Sequence, residues 1–112
     1  MLKDGLTSEP FDHMLVNEYL PGQGIALHRD YEPFGRTIAS LSLLSPVVMD
    51  FRHIVSGRKE HLLLEPRSLL VLSDAARYEW EHGIATRKTD IWHDMRIVRR
   101  RRISVTFRTR KQ

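Results

Sequence analysis

Short apolar runs, separated by clusters of Gly, Pro, Asp and Ser, set the rhythm of this chain. Residues 13–19 read as a strand, which Leu20-Pro21-Gly22-Gln23-Gly24 ends, and residues 25–27 as a short strand leading into His28-Arg29-Asp30. Over residues 36–44 the pattern alternates, with Leu41 and Leu43 spaced by Ser40 and Ser42. Pro46 breaks that run before another strand at 47–51. A turn at Ser56-Gly57-Arg58-Lys59 precedes strands at 61–64 and 69–72. Ser73-Asp74-Ala75-Ala76 predicts a turn, 78–84 a strand, 86–99 a polar loop and 102–108 a closing strand. About eight short segments with turn signals every eight to twelve residues or so argue for an all-β sandwich or barrel rather than a βαβ fold. The double-sheet jelly roll is the natural eight-stranded solution, although other small barrels fit the same pattern.

The length of 112 residues fits a single domain spanning 1–112. The absence of cysteine excludes disulfide scaffolds, thiolate metal sites and cysteine nucleophiles. The first dozen residues lack the apolar core of a secretory signal, and no apolar run approaches the length of a membrane span. The expectation is a soluble intracellular protein with no membrane association, compatible with cytoplasm or nucleus.

Charge adds one feature. The net charge is +4, yet residues 96–111 hold eight basic groups and no acid, so the rest of the chain is net acidic. Such a cluster suits a polyanion such as nucleic acid; a solvated charged end is the plainer reading.

His28 and Asp30 are spaced i, i+2, which puts both side chains on one face of an extended segment. His82, in Glu81-His82-Gly83, is the best third partner. Two histidines and a carboxylate form the facial triad that suits iron(II) or manganese and leaves positions open for other ligands. His-x-Asp alone is a common pairing and carries little weight. His13, His53, His61 and His93 read as surface or packing residues.

The closing strand is the stronger clue. In Arg102-Ile103-Ser104-Val105-Thr106-Phe107-Arg108 polar and apolar residues alternate strictly, so Arg102, Ser104, Thr106 and Arg108 share one face. The two arginines lie about 20 Å apart along a strand rising roughly 3.3 Å per residue. Long arms converging from both ends suit a small dicarboxylate, since guanidinium groups bind carboxylates through paired hydrogen bonds. A half-exposed edge strand with solvated charges is the alternative.

Together these residues resemble the AlkB-type iron(II)- and 2-oxoglutarate-dependent dioxygenases. Asn17-Glu18-Tyr19 followed by Pro21-Gly22 looks like the family's Asn-x-Tyr-x-Pro-Gly segment, and His28-Arg29-Asp30 like its His-x-Asp. His82-Gly83-Ile84 looks like its second-histidine motif and 102–108 like its Arg-x-Asn-x-Thr-Phe-Arg strand. The likeness covers about residues 15–110. Between the motifs, IASLSLLSPVVMDF, PRSLLVL and RYEWEHGI look closest to the AlkB domain of the tRNA wobble-uridine modifying branch.

The resemblance implies a double-stranded β-helix (jelly roll) core and a dioxygenase that uses Fe(II), O2 and 2-oxoglutarate, with ascorbate as a supporting reductant. His28, Asp30 and His82 would hold the metal; Asn17 and Tyr19 would hydrogen-bond 2-oxoglutarate. Arg108 would pair with the distal carboxylate of 2-oxoglutarate and Arg102 would sit near the chelating one, with Ser104 standing where the family has Asn. Glu32, Arg77, Tyr78 and Trp80 are candidates for the substrate pocket, Tyr78 and Trp80 alternating onto the face of His82; a packed core is the commoner fate of such aromatics. The implied reaction hydroxylates a C–H bond while 2-oxoglutarate becomes succinate and carbon dioxide. On an N-methyl group the product collapses to formaldehyde and the demethylated base. Modified tRNA or single-stranded DNA or RNA is the implied substrate class, in RNA modification or DNA repair. Family members carry a sizeable segment before the Asn-x-Tyr motif, so the reading here is of a core without the N-terminal nucleotide-recognition lid. An uncovered core of this kind exposes apolar surface that can pair with a partner. The alternatives are an oxygenase acting on a protein or small molecule, and a catalytically incomplete jelly-roll module that binds nucleic acid.

Overall fold

The computed structural model describes residues 11, 13–30 and 34–110; the side chains at 34, 36 and 110 lie outside that description. Two four-stranded antiparallel sheets face each other. The first has the order β1-β10-β3-β6, formed by β1 (His13–Tyr19), β10 (Arg102–Arg110), β3 (Phe34–Leu43) and β6 (Leu69–Ser73). The second has the order β2-β7-β4-β5, formed by β2 (Ile25–His28), β7 (Trp80–Ile84), β4 (Val47–His53) and β5 (Lys59–Leu64). The connections and the facing sheets make a jelly roll, as the alternation predicts.

Two elements differ from the sequence reading. The expected turn after β6 is a one-turn helix, α1 (Asp74–Tyr78), so the strand expected from residue 78 begins only at Trp80. The expected loop at 86–99 contains a hairpin, β8 (Thr89–Trp92) and β9 (Met95–Val98). Its two-residue turn, His93-Asp94, has φ of 49° and 65° at these positions, the left-handed conformation that tight hairpins require.

Asp90 fastens the hairpin to the fold. Its side chain is fully buried and accepts hydrogen bonds from Arg99 Nε (2.9 Å) and Nη2 (2.9 Å), Arg87 Nε (2.8 Å) and the Val48 backbone N–H (3.2 Å). One carboxylate thus ties β8 to β4 and to the chain entering β10. Burial alone would push its pKa up; the bonds from Arg99, Arg87 and Val48 and the charge of Arg99 outweigh that and hold it below the usual carboxylate value.

The first sheet is largely apolar on its outer face, with Glu18, Thr37 and Ser73 as its polar positions. Strand β10 is central in it, not an edge, and its polar side is the buried one: Arg102, Ser104 and Thr106 face inward at 9% exposure or less. The alternation therefore sends Ile103, Val105 and Phe107 outward. Across the register Met14 and Val16 join them from β1, Leu41 and Leu43 from β3, and Leu69 and Val71 from β6. The inter-sheet core is correspondingly small, centred on Val47, Met49, Leu64 and Ile84 with Phe51 and Leu70 packed against it. Much of the remaining space between the sheets is a cavity.

Candidate metal centre

Local backbone geometry brings the three predicted ligands together. β2 and β7 pair so that His28 lies opposite His82, with an irregularity between Ile25 and His28 that turns the end of β2 toward its neighbour. Gly83 permits the approach: a Cβ there would lie 2.7 Å from the Ile25 carbonyl oxygen and 2.9 Å from the Leu27 nitrogen. The His28 and His82 rings sit 4.6 Å apart, and Asp30 Oδ2 is 3.7 Å from His82 Nε2. One ligand atom from each of His28, Asp30 and His82 lies within 4.8 Å of the others, the one such group among the described residues. The His28 Nδ1–H donates to the Ala26 carbonyl (2.8 Å), which leaves Nε2 as its free lone pair. Burial lowers the pKa of His82, as do the charges of His28, Arg77 and Arg108, while Asp30 opposes them; the imidazole is thus held neutral, the form that coordinates metal.

The loop carrying Asp30 is fixed from behind by α1. Arg77, 2% exposed, donates from Nε to the Gly35 carbonyl (3.2 Å) and from Nη1 to the Asp30 carbonyl (3.0 Å). Arg29 Nη1 donates to the Tyr78 carbonyl (3.0 Å), and the Arg77 guanidinium lies 4.8 Å from the centre of the Tyr78 ring. Arg77 thus ties the stretch that carries Asp30 and Gly35 to α1. Tyr78 does not share the face of His82 because it belongs to the helix. Trp80 does lie on the face of His82, with its ring edge-on to His53 at 5.1 Å. Glu32 lies outside the described residues.

The metal group forms one wall of a cavity of about 150 Å³ between the sheets, also lined by Asn17, Tyr19, Arg102, Ser104 and Arg108. That space suits about five waters at roughly 30 Å³ each, or one small dicarboxylate. All five residues expected to contact such a molecule therefore open onto the same space as the metal group. Apolar positions that sequence reasoning did not single out, including Leu15, Ile38, Leu70 and Leu72, complete the walls. No polar–apolar alternation marks them: β6 (LLVLS) and the start of β1 (HMLV) are apolar on both faces, and Ile38 shares its face with Ser40 and Ser42.

The two arginines mark opposite ends. Arg108 Nη2 donates to Asp30 Oδ1 (3.2 Å), so it belongs to the metal end. Arg102, 3% exposed, donates to Ser42 Oγ (2.8 Å) and faces the Tyr19 ring at 5.3 Å; its buried Nε has no hydrogen-bond partner among the described residues. The sequence reading pairs Arg108 with the distal carboxylate of a diacid; in the structure Arg108 is the one of the two that reaches Asp30. Burial lowers the pKa of Arg102 and raises that of Tyr19, so the phenol stays protonated and can donate. A buried cation with an unused donor is a ready place for a carboxylate. The donor set at one end and the orphaned guanidinium nitrogen at the other fit an octahedral metal and a diacid.

Half of the C-terminal basic cluster is used internally. Arg99 binds Asp90, Arg101 pairs with Glu18, Arg102 faces the cavity and Arg108 meets Asp30. Of the eight groups, Arg96 and Arg100 are the described ones left exposed without such a role.

The comparisons agree with this geometry. The family model of the 2OG-Fe(II) oxygenase superfamily matches residues 2–108. An uncharacterized protein of Acanthamoeba polyphaga mimivirus is 39% identical over 110 residues, which is 96% of this chain and 52% of that protein. The tRNA (carboxymethyluridine(34)-5-O)-methyltransferase ALKBH8 of Macaca fascicularis is 46% identical over 90 residues, 80% of this chain and 13% of that protein. The solved structure of OsALKBH1 superposes with a TM-score of 0.71 at 20% identity, covering 90% of this chain and 51% of the other. This chain thus spans about half the length of the viral relative and a small part of ALKBH8.

Proposed function

The chain belongs to the 2OG-Fe(II) oxygenase superfamily, among its AlkB homologues, and on that premise we propose that it is an iron(II)- and 2-oxoglutarate-dependent dioxygenase acting on a modified nucleic-acid base. The observation that carries this reading is a single cavity with His28, Asp30 and His82 at one end and the buried, incompletely bonded Arg102 at the other. His28, Asp30 and His82 would hold iron(II) facially. Arg102 would take the distal carboxylate of 2-oxoglutarate, with the Tyr19 hydroxyl as a second donor. Arg108 would orient Asp30 and face the chelating end, and Asn17 and Ser104 would supply polar contacts between. Bound iron and cosubstrate supply the oxidising chemistry: 2-oxoglutarate and O2 become succinate and carbon dioxide as one oxygen atom enters a C–H bond. The protein holds the ligands, fixes the diacid by both ends and keeps the apolar wall of Leu15, Ile38, Leu70 and Leu72 dry.

For the substrate, the ALKBH8 relative is named for tRNA modification, which supports a modified wobble uridine or another modified base. Trp80, beside His53 on the face of His82, offers a ring on which such a base can stack. A second reading, a protein or small-molecule substrate, is favoured by the internal use of Arg99, Arg101, Arg102 and Arg108, which leaves only half of the eight-residue basic cluster for phosphates. The test is succinate formation with iron(II), ascorbate and 2-oxoglutarate, with and without oligoribonucleotides bearing modified wobble uridines or N-methyl bases, beside His82→Ala. Stimulation by a modified oligonucleotide that weakens steeply with salt supports the nucleic-acid reading. Turnover that no oligonucleotide stimulates favours the second, and no succinate from the parent sinks both.

A further inference from the structure

Arg102 is held from both neighbouring strands. On the β1 side the Tyr19 ring lies 5.3 Å from its guanidinium; on the β3 side Ser42 Oγ accepts from its Nη2 (2.8 Å). Ser42 pairs with Ser104 across the register and is buried, but, unlike Ser40 and Ser104, it does not line the cavity. It stands behind Arg102. Its own backbone is pinned by the turn that carries the chain from β5 in one sheet to β6 in the other, Glu65-Pro66-Arg67-Ser68. The Ser68 N–H closes that turn on the Glu65 carbonyl (3.1 Å). The Arg67 N–H donates to the Ser42 carbonyl (2.6 Å), and the Ser42 N–H donates to the Ser68 carbonyl (2.9 Å). Arg67 has a φ of 65°, the left-handed conformation that the third position of such a proline turn requires and that glycine adopts more easily. Both backbone polar groups of Ser42 are thus engaged by the turn, which fixes where its hydroxyl sits under Arg102.

We propose that Ser42 is a positioning residue that sets the length of the diacid: by anchoring Arg102 it fixes the span between the guanidinium and the metal group, so that the cavity takes a five-carbon dicarboxylate in preference to one a methylene longer or shorter. The inference rests on the reading of this cavity as a 2-oxoglutarate site. A free arginine arm has many rotamers and follows a longer or shorter ligand. An anchored arm does not, and it loses less freedom when the ligand arrives. The unpartnered Nε of Arg102 then meets a carboxylate from a fixed place. The anchor acts through Arg102 alone, since Ser42 has no cavity-lining surface of its own.

The test reads the anchor and its consequence separately, in the full chain. Without any ligand, the Nε–H resonance of Arg102 in protein with isotope-labelled arginine, assigned by its loss in Arg102→Met, should exchange slowly with solvent. In Ser42→Ala, which removes one oxygen and keeps the fold by circular dichroism, it should exchange at least about tenfold faster, the worth of one hydrogen bond to a charged group. With manganese(II) present, calorimetry should show the parent binding 2-oxoglutarate at least about tenfold more tightly than 2-oxoadipate or oxaloacetate, a discrimination that one methylene supports. Ser42→Ala should weaken 2-oxoglutarate about tenfold and bring the three diacids within about threefold of one another. Ser42→Thr keeps the oxygen and should restore both the slow exchange and the preference. An Arg102 signal that Ser42→Ala leaves unchanged overturns the proposal. So does a Ser42→Ala that keeps the preference of the parent, or a Ser42→Thr that loses it. A parent that binds none of the three diacids overturns the 2-oxoglutarate reading and this inference with it, whereas the other three results leave that reading standing.

Discussion

Replacing Arg102 with methionine should make the ligand-free protein more stable while removing its affinity for 2-oxoglutarate. Arg102 is 3% exposed, and its visible partners are the Ser42 hydroxyl and the Tyr19 ring. Burying a guanidinium costs several kcal/mol. The Ser42 bond returns about 1.5–3 kcal/mol, and the Tyr19 ring, with the guanidinium desolvated, up to about 2 kcal/mol. Methionine fills similar space without the charge, so the balance is a gain of at most about 1 kcal/mol, or up to roughly 4 °C in Tm for a domain of this size. Binding moves the other way: two charge-assisted bonds to a carboxylate are lost, about 3 kcal/mol or more, which is a factor of at least about 100 in Kd. Thermal unfolding with and without 2-oxoglutarate and a manganese or iron(II) salt reads both quantities. The parent should gain Tm as ligand is added, and Arg102→Met should start higher and gain nothing. A variant that starts several degrees lower, or that still responds to 2-oxoglutarate at the concentrations that serve the parent, would refute the reasoning.

Other residues give independent checks. Gly83→Ala should push β2 away from β7, since its Cβ meets backbone at 2.7 Å, and weaken manganese affinity at least tenfold by calorimetry while the first sheet keeps its circular dichroism. Asp90→Ala should cost about 3–5 kcal/mol in urea unfolding, because Arg99 is left buried without its partner. The folded pKa of Asp90 is depressed, so its contribution is present above the unfolded value near 3.8 and is lost as pH falls through the folded one. The stability difference between parent and Asp90→Ala should therefore be constant from pH 5 to 7 and shrink below about pH 4. Arg77→Met should lower metal affinity by about 10-fold through the freed Asp30 loop, with the Arg102 end unaffected; equal losses at both ends would show that Arg77 supports the whole fold.

What the sequence made legible followed from periodicity. The alternation in β10 and β3 has period two over enough residues to identify strand and face, and His28 and Asp30 needed only their i, i+2 spacing to be placed together. The direction of the β10 face could not be read as an ordinary amphipathic strand, because there the polar side lines a cavity and the apolar side points out. Helix α1 is one turn long, below the length at which a 3.6-residue period can register. The hairpin β8–β9 hid among polar residues because an aspartate and two arginines do the work of a core. The ordering of Arg102 and Arg108 along the cavity depends on which one meets Asp30, a contact between residues 78 positions apart that no local pattern encodes.

The most direct test of the central claim is an anaerobic titration of the purified chain with iron(II) and 2-oxoglutarate, followed by the visible charge-transfer absorption that their chelate gives on a protein. The account predicts a band that needs both components, saturates at one equivalent of each per chain, and is absent in His82→Ala. No band at any concentration, or a band that His82→Ala leaves unchanged, would contradict it.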